Sequence, residues 1–181
     1  MADVVTLKQA IQQRGPYAVW DLMDEDEQKE AAAALWQNAD RESRALIEMS
    51  LAKELKFRAR SVRRLSADRV AGRLIRIVDE LPDNLVFQFL FHLHMSGRRD
   101  LLVQFLDAVG LPHNEGVLDL PEGTEAPSEE SVAKAAGELL ATHDRQGLIY
   151  LATLKVADDE FWAGVDGVLE KHAEDGSRLD A

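Results

Sequence analysis

The chain has 181 residues, 46% of them hydrophobic and 30% charged, with a net charge of −12 and no cysteine. Such a composition supports a buried core and excludes compositional disorder. It also excludes disulfides, thiolate metal sites and cysteine nucleophiles, and it fits a reducing compartment. The length suits one domain or two small ones. The stretch from Met1 to Lys8 has neither a basic start nor an apolar core, so we expect a cytoplasmic chain without a leader or a membrane segment.

Residues 3–13 read as a short helix with Val4, Leu7 and Ile11 inward, broken at Gly15-Pro16. Pro16 opens a second short segment through Met23. Asp24 to Glu27 place acids where a helix N-terminus favours them, and the alanine-rich run to Trp36 follows. Asn38-Ala39-Asp40 ends that helix and caps the next.

From Arg41 the pattern predicts one helix to about Leu65. At about 100° per residue, Ile47, Leu51, Leu55, Val62 and Leu65 share one arc, and Lys53, Lys56, Arg60, Arg63 and Arg64 share another. Ser66 caps a further predicted helix over 67–81, with Val70, Leu74, Ile77, Val78 and Leu81 inward and Arg69, Arg73 and Arg76 outward. Pro82 ends it.

Leu85 to Met95 is the most apolar run. Its residues alternate as in a strand, but Pro82-Asp83-Asn84 offers a helix start, with Asp83 or Asn84 as N-cap, and Ser96-Gly97 a stop. A lone strand would leave its backbone groups unpaired. We therefore read a helix, apolar nearly all round and covered on several sides, returning through Arg98-Arg99 into a helix over 100–109.

Residues 110–130 hold three glycines, three prolines and six acids, and read as a loop or linker. Ser128 or Ser131 opens the next helix, to about Thr142. A turn at His143 to Gly147 leads to its partner from Leu148. Asp158-Asp159 caps a last helix with Phe161, Trp162, Val165, Val168 and Leu169 inward, and a polar tail runs from Glu174. This gives an N-terminal body (1–110), a linker (111–130) and a C-terminal helical hairpin (131–181). Sliding residues 93–109 onto 139–155 matches Leu93 with Leu139, Arg99 with Arg145 and Leu102 with Leu148, at a period found in HEAT-type helical repeats. The expected fold class is all-α: antiparallel helical hairpins in an irregular bundle or a short HEAT-like stack.

Charge is spread unevenly. Residues 53–76 hold nine Lys/Arg against Glu54 and Asp68, whereas residues 110–181 hold sixteen acids against five bases. The band Lys53, Lys56, Arg60, Arg63, Arg64, Arg69, Arg73, Arg76 (with Arg58 between) is the chain's candidate anion- or partner-binding face. Phe57 is its one aromatic, which leaves little for base stacking. Overall acidity likewise argues against general nucleic-acid binding. A charged outer face that pairs with the chain's own acids is the plainer alternative.

No phosphate-binding glycine loop, His-Glu-x-x-His or Gly-x-Ser-x-Gly pattern occurs, and no carboxylate pair stands in an apolar setting. An alternative reading gathers His92, His94, His113, Glu115, His143 and Asp144 into the metal site of a hydrolase. His92 and His94 are two apart and point away from each other on a regular helix, whereas helical metal sites use spacings of three or four. The expectation is a non-enzymatic protein-interaction module, an adaptor or assembly factor, without cofactor, that meets another protein through a helical groove or the basic band. Binding of nucleic acid or another polyanion through residues 53–76 is the second alternative.

Overall fold

A computed structural model describes residues 4–56 and 58–179; Phe57, like residues 1–3 and 180–181, lies outside that description. The fold is all-α. In order the helices are α1 (Leu7–Arg14), α2 (Pro16–Leu22), α3 (Glu25–Asn38), α4 (Arg41–Leu55), α5 (Ala59–Val62), α6 (Ala67–Leu74) with a 3-10 extension (Ile75–Glu80), α7 (Asp83–Gly97) and α8 (Arg99–Val109). A two-strand hairpin, β1 (His113–Asn114) and β2 (Val117–Leu118), precedes α9 (Glu129–Ala157), a 3-10 turn (Ala163–Val165) and α10 (Asp166–Leu169). Among the described residues, no helix is long and apolar enough to cross a membrane. The chain forms two compact units: Met23–Ser96, and Met1–Leu22 with Gly97–Ala181.

In the Met23–Ser96 unit, α3 begins at a reciprocal capping box in which Asp24 accepts from the Glu27 N–H and the Glu27 carboxylate accepts from the Asp24 N–H. This satisfies two of the free donors of the first turn. The helix then lays Ala31, Ala32, Ala34 and Leu35 against α6, which answers with Val70, Ala71 and Leu74. Small side chains on both sides let the two helices approach closely.

Helix α4 starts at Asp40, whose carboxylate accepts from the Ser43 N–H at 2.7 Å. It does not run to Leu65. It stops at Leu55, where Lys56 turns left-handed at φ 54°, and Arg58 is extended before the single turn of α5. A continuous helix would have stacked Lys56 on Arg60 and Arg60 on Arg64, like charges one turn apart, which destabilise a helix. Breaking the helix still buries Val62 completely and splays the cations over a connection. The predicted helix over 67–81 tightens into 3-10 geometry after Leu74, but its inner face is as expected, with Val70, Leu74, Ile77, Val78 and Leu81 all buried. Ser66 occupies the N-cap position without a capping hydrogen bond.

Residues 85–95 are helical, within α7. The buried positions are Leu85, Val86, Phe89, Leu90, Leu93 and His94, spacings of one, three and four that only a helix puts on one face. The helix starts directly after Pro82, so Asp83 sits in its first turn rather than as its cap. It is not covered all round: Phe91 is 45% exposed.

The element buried on every side lies in the other unit. In α9, Gly147 to Lys155 are nine consecutive buried residues, and α1, α2, α8, α10 and the 3-10 turn 163–165 all pack on this helix. The predicted turn ahead of them exists: Asp144 leaves helical geometry at φ 38°, ψ −108°. Eight residues of straight helix span about 12 Å, yet a Cβ on Gly147 would lie 3.4 Å from the Leu139 carbonyl oxygen. The two halves of α9 therefore fold sharply against each other at Asp144. An ion network ties the far end. Lys155 Nζ reaches Asp159 and Asp166, each at 2.6 Å, and Lys8 reaches Asp166 at 3.0 Å and Glu170 at 2.7 Å. Burial alone would lower the Lys155 pKa; its hydrogen bonds to Asp159 and Asp166 outweigh this and hold it above the ordinary lysine value.

Four further expectations change here. Val4 is 62% exposed, not inward, because α1 begins only at Leu7, capped by Thr6. The loop 110–130 contains the β1–β2 hairpin, closed by Glu115 (φ 49°) and Gly116 (φ 86°), the positive-φ pair of a type I′ turn. Asp158 closes α9 and accepts from the Phe161 N–H at 2.9 Å instead of opening a long last helix. The segment from Glu174 is tied down: its N–H donates to Val5 O at 3.1 Å, and its carboxylate pairs with Arg14.

Candidate functional site

The basic band assembles on the Met23–Ser96 unit from the end of α4, the 56–66 connection and the outer side of α6. Three of its cations are engaged by the unit's own acids. Arg63 Nε donates to both oxygens of Glu48 at 2.8 and 2.9 Å, and the Glu48 side chain is only 4% exposed. This contact holds Arg63 above the ordinary arginine pKa. Arg73 meets Glu54 at 3.4 Å, and Lys53 meets Glu80 at 3.9 Å.

Lys56, Arg58, Arg60, Arg64, Arg69 and Arg76 are exposed. None of these six meets a carboxylate among the described residues. The unit as a whole is close to neutral, with twelve Lys/Arg and thirteen Asp/Glu between Met23 and Ser96. Its acids are numerous enough to neutralise the band, but beyond Glu48, Glu54 and Glu80 none pairs with it among the described residues, and five of them fall between Asp24 and Glu30 in the sequence.

Part of the band surrounds an open cleft of about 470 Å³. Arg69, Arg73 and Arg76 line it, at spacings of four and three along α6 and its 3-10 extension, together with Asp68 and the apolar Leu55 and Leu65. Gly72 is also part of its lining. No positive φ requires a glycine there, and a Cβ would meet nothing within 4 Å. Mid-helix glycine costs about 1 kcal/mol relative to alanine. Neither backbone conformation nor packing offsets that cost at Gly72, which lies in the cleft lining beside Arg69, Arg73 and Arg76. Leu55, Leu65 and Gly72 were not legible as site residues, although an unexplained glycine inside an amphipathic helix is the signal that could have marked the place.

The histidines and their acidic neighbours have separate local tasks. His94 is buried, and His92, half-buried on α7, packs edge-on to Phe91. Burial lowers the His92 pKa against the attraction of Asp40. His113 accepts from the Gly116 N–H through Nδ1 at 3.2 Å and so presents Nε2–H to Asp107 at 3.0 Å. Glu115 pairs with Arg99 at 2.9 Å. His143 Nε2 meets the Gln104 side-chain oxygen at 2.9 Å, and the neighbouring Asp144 forms the bend of α9. Among the described residues, no three His, Asp or Glu side chains form a group that could hold a metal ion.

No family model matches this chain, and neither does any curated protein or solved structure.

Proposed function

We propose that this chain is a non-enzymatic protein-interaction module, and that its basic cleft takes an acidic, partly apolar segment of another protein. The observation that carries this reading is the cleft around Gly72: Arg69 and Arg76 without a carboxylate partner among the described residues, partly paired Arg73, and the apolar Leu55 and Leu65 in the same lining. Arginine forks select carboxylates through paired, charge-assisted hydrogen bonds. Leucines beside them favour a partner with its own apolar side chains over a bare phosphate backbone. Cations without internal partners give up no existing ion pair when they take a carboxylate, so the new pair has only their hydration to repay.

The test is a titration with an amphipathic peptide carrying Glu and Leu at helical spacing, beside a single-stranded oligonucleotide of equal charge. Saturable peptide binding that weakens with salt is expected. Each charge-assisted hydrogen bond contributes about 1.5–3 kcal/mol, so Arg69→Glu with Arg76→Glu weakens binding at least about a hundredfold. Tighter binding of the oligonucleotide than of the peptide would move the assignment to nucleic acid. Equal peptide binding by the double variant would remove the cleft from the account.

A further inference from the structure

The other unit, Met1–Leu22 with Gly97–Ala181, is strongly acidic, with twenty Asp/Glu against nine Lys/Arg. Much of that surplus sits in one stretch: residues 100–133 hold eight Asp/Glu and no Lys or Arg. Its second half leaves the β1–β2 hairpin and reaches the start of α9 as largely exposed chain. A turn at Pro121 shapes it, where the Thr124 N–H and hydroxyl both donate to the Pro121 carbonyl, at 3.1 and 2.7 Å.

Asp119, Glu122 and Glu125 stand exposed along this segment and make no ion pair among the described residues. Glu115, just before it, is by contrast held by Arg99 at 2.9 Å. Apolar side chains accompany the acids: Val117 is 46% exposed, and Leu118 and Leu120 are half-buried. The segment is thus acidic and partly apolar, the chemistry that the basic cleft around Gly72 selects. The spacings also agree. From Arg69 to Arg76 the helix and its 3-10 extension rise about 10–12 Å. Three residues of extended chain, from Asp119 to Glu122, span at most about 10–11 Å.

We infer that the basic cleft of one copy of this chain takes the 117–130 segment of a second copy. Asp119 and Glu122 meet Arg69 and Arg76, and the segment's leucines lie against Leu55 and Leu65. Charge complementarity carries the assignment: cations and carboxylates that each lack an opposite charge occur on the same chain, in equal amounts. This inference rests on the reading of the cleft as a site for an acidic segment and adds where that segment comes from. Cleft and segment are different surfaces, so the contact is head-to-tail, and copies either close reciprocally or add in a row. Exposed ion pairs contribute little each, and a contact of this size belongs with the weak, transient interfaces.

Sedimentation velocity of the full chain, from micromolar to millimolar concentration and at low and high salt, is the test. The wild type is expected to gain mass with concentration at low salt and to lose that association at high salt. Arg69→Glu with Arg76→Glu disables the cleft; Asp119→Lys with Glu122→Lys and Glu125→Lys disables the segment. Each variant alone is expected to remain a single copy, and an equimolar mixture of the two to associate again, since every contact in it is attractive. The lysine variant carries less net negative charge than the wild type, so general repulsion does not explain its loss of association. A wild type that stays a single copy throughout would overturn the inference, as would association that persists in either variant or a mixture that fails to associate. The amphipathic Glu/Leu peptide separates the two readings. If it binds a chain that never self-associates, the cleft reading stands and only the second copy is lost; if it does not bind, the cleft reading falls first. Tighter peptide binding by a single-copy lysine variant than by the wild type would place the segment in its own copy's cleft, and would also overturn the inference.

Discussion

Gly164 and Gly167 stand three residues apart, and the structure assigns them opposite responses to the same substitution. Gly164 is buried in the 3-10 turn that seats on the first turn of α9. A Cβ there would lie 2.6 Å from Val132 Cβ, 2.8 Å from the Glu129 carbonyl oxygen and 2.9 Å from Glu129 Cα. Two of these three atoms are backbone, which cannot rotate aside, so the helix or the turn must move. Overpacking of this kind costs about 1–3 kcal/mol, and backbone obstruction puts Gly164→Ala at the upper end, about 3 kcal/mol. For a chain of this length each kcal/mol shifts the unfolding midpoint by about 2–4 °C, which gives a fall of about 6–12 °C. At Gly167 a Cβ meets nothing within 4 Å, and replacing a helical glycine by alanine there gains up to about 1 kcal/mol. Thermal unfolding followed by circular dichroism at 222 nm separates the two. Midpoints that move in the same direction, or by similar amounts, would refute the close seating of the turn on α9.

Three other outcomes follow from the same structure. Arg63→Ala lowers the unfolding midpoint by a few degrees because it strips the partner from buried Glu48, whereas Arg64→Ala, on the exposed side of the same turn, leaves it unchanged; parallel melts check this. Lys155→Met removes the hub joining Asp159 and Asp166. Breaking a buried pair costs about 3–5 kcal/mol, but Asp159 is 69% exposed and rehydrates, which brings the cost to about 2 kcal/mol. Since the Lys155 pKa is raised in the folded chain, its stabilisation is complete below the unfolded value of about 10.4 and is lost as pH rises through the folded one. The variant's stability therefore falls less steeply on the alkaline side, which denaturant titration at several pH values measures. At the other end of the scale, hydrogen bonds from Ser43 hold the Asp40 pKa below its ordinary value. That contribution is present above the unfolded value of about 3.9 and is lost as pH falls through the folded one. Asp40→Asn keeps a competent N-cap and flattens the acid limb of the same titration.

The helices were legible where apolar spacing is regular, as at Val70, Leu74, Ile77 and Val78, and where a cap residue is unambiguous, as at Asp40. Residues 85–95 carry a strand-like alternation that gives way once backbone pairing is considered, since an isolated strand has no partner. What the sequence could not show was the end of α4. Amphipathic spacing continues through Val62 and Leu65, and nothing but mutual repulsion among Lys56, Arg60 and Arg64 speaks against a longer helix. The basic band was legible as composition; which of its cations are engaged, as Arg63 and Arg73 are, depends on where Glu48 and Glu54 come to lie. The ordering of the chain end was invisible because residues from Glu174 read as a polar tail; the hydrogen bonds from Leu7 N–H to the His172 carbonyl and from Glu174 N–H to the Val5 carbonyl, with the Arg14–Glu174 pair, fix it.

Replacing Gly72 by leucine puts a side chain into the basic cleft without removing a charge. The space there is open, and leucine is the better helix former by about 0.8 kcal/mol, so Gly72→Leu should unfold at the same temperature or higher. Isothermal titration with the acidic amphipathic peptide should then show binding to the wild type and at least a tenfold loss in the variant. Undiminished peptide binding by a folded Gly72→Leu chain would contradict the account: the arginines would then act as a diffuse charge rather than as the walls of a cleft.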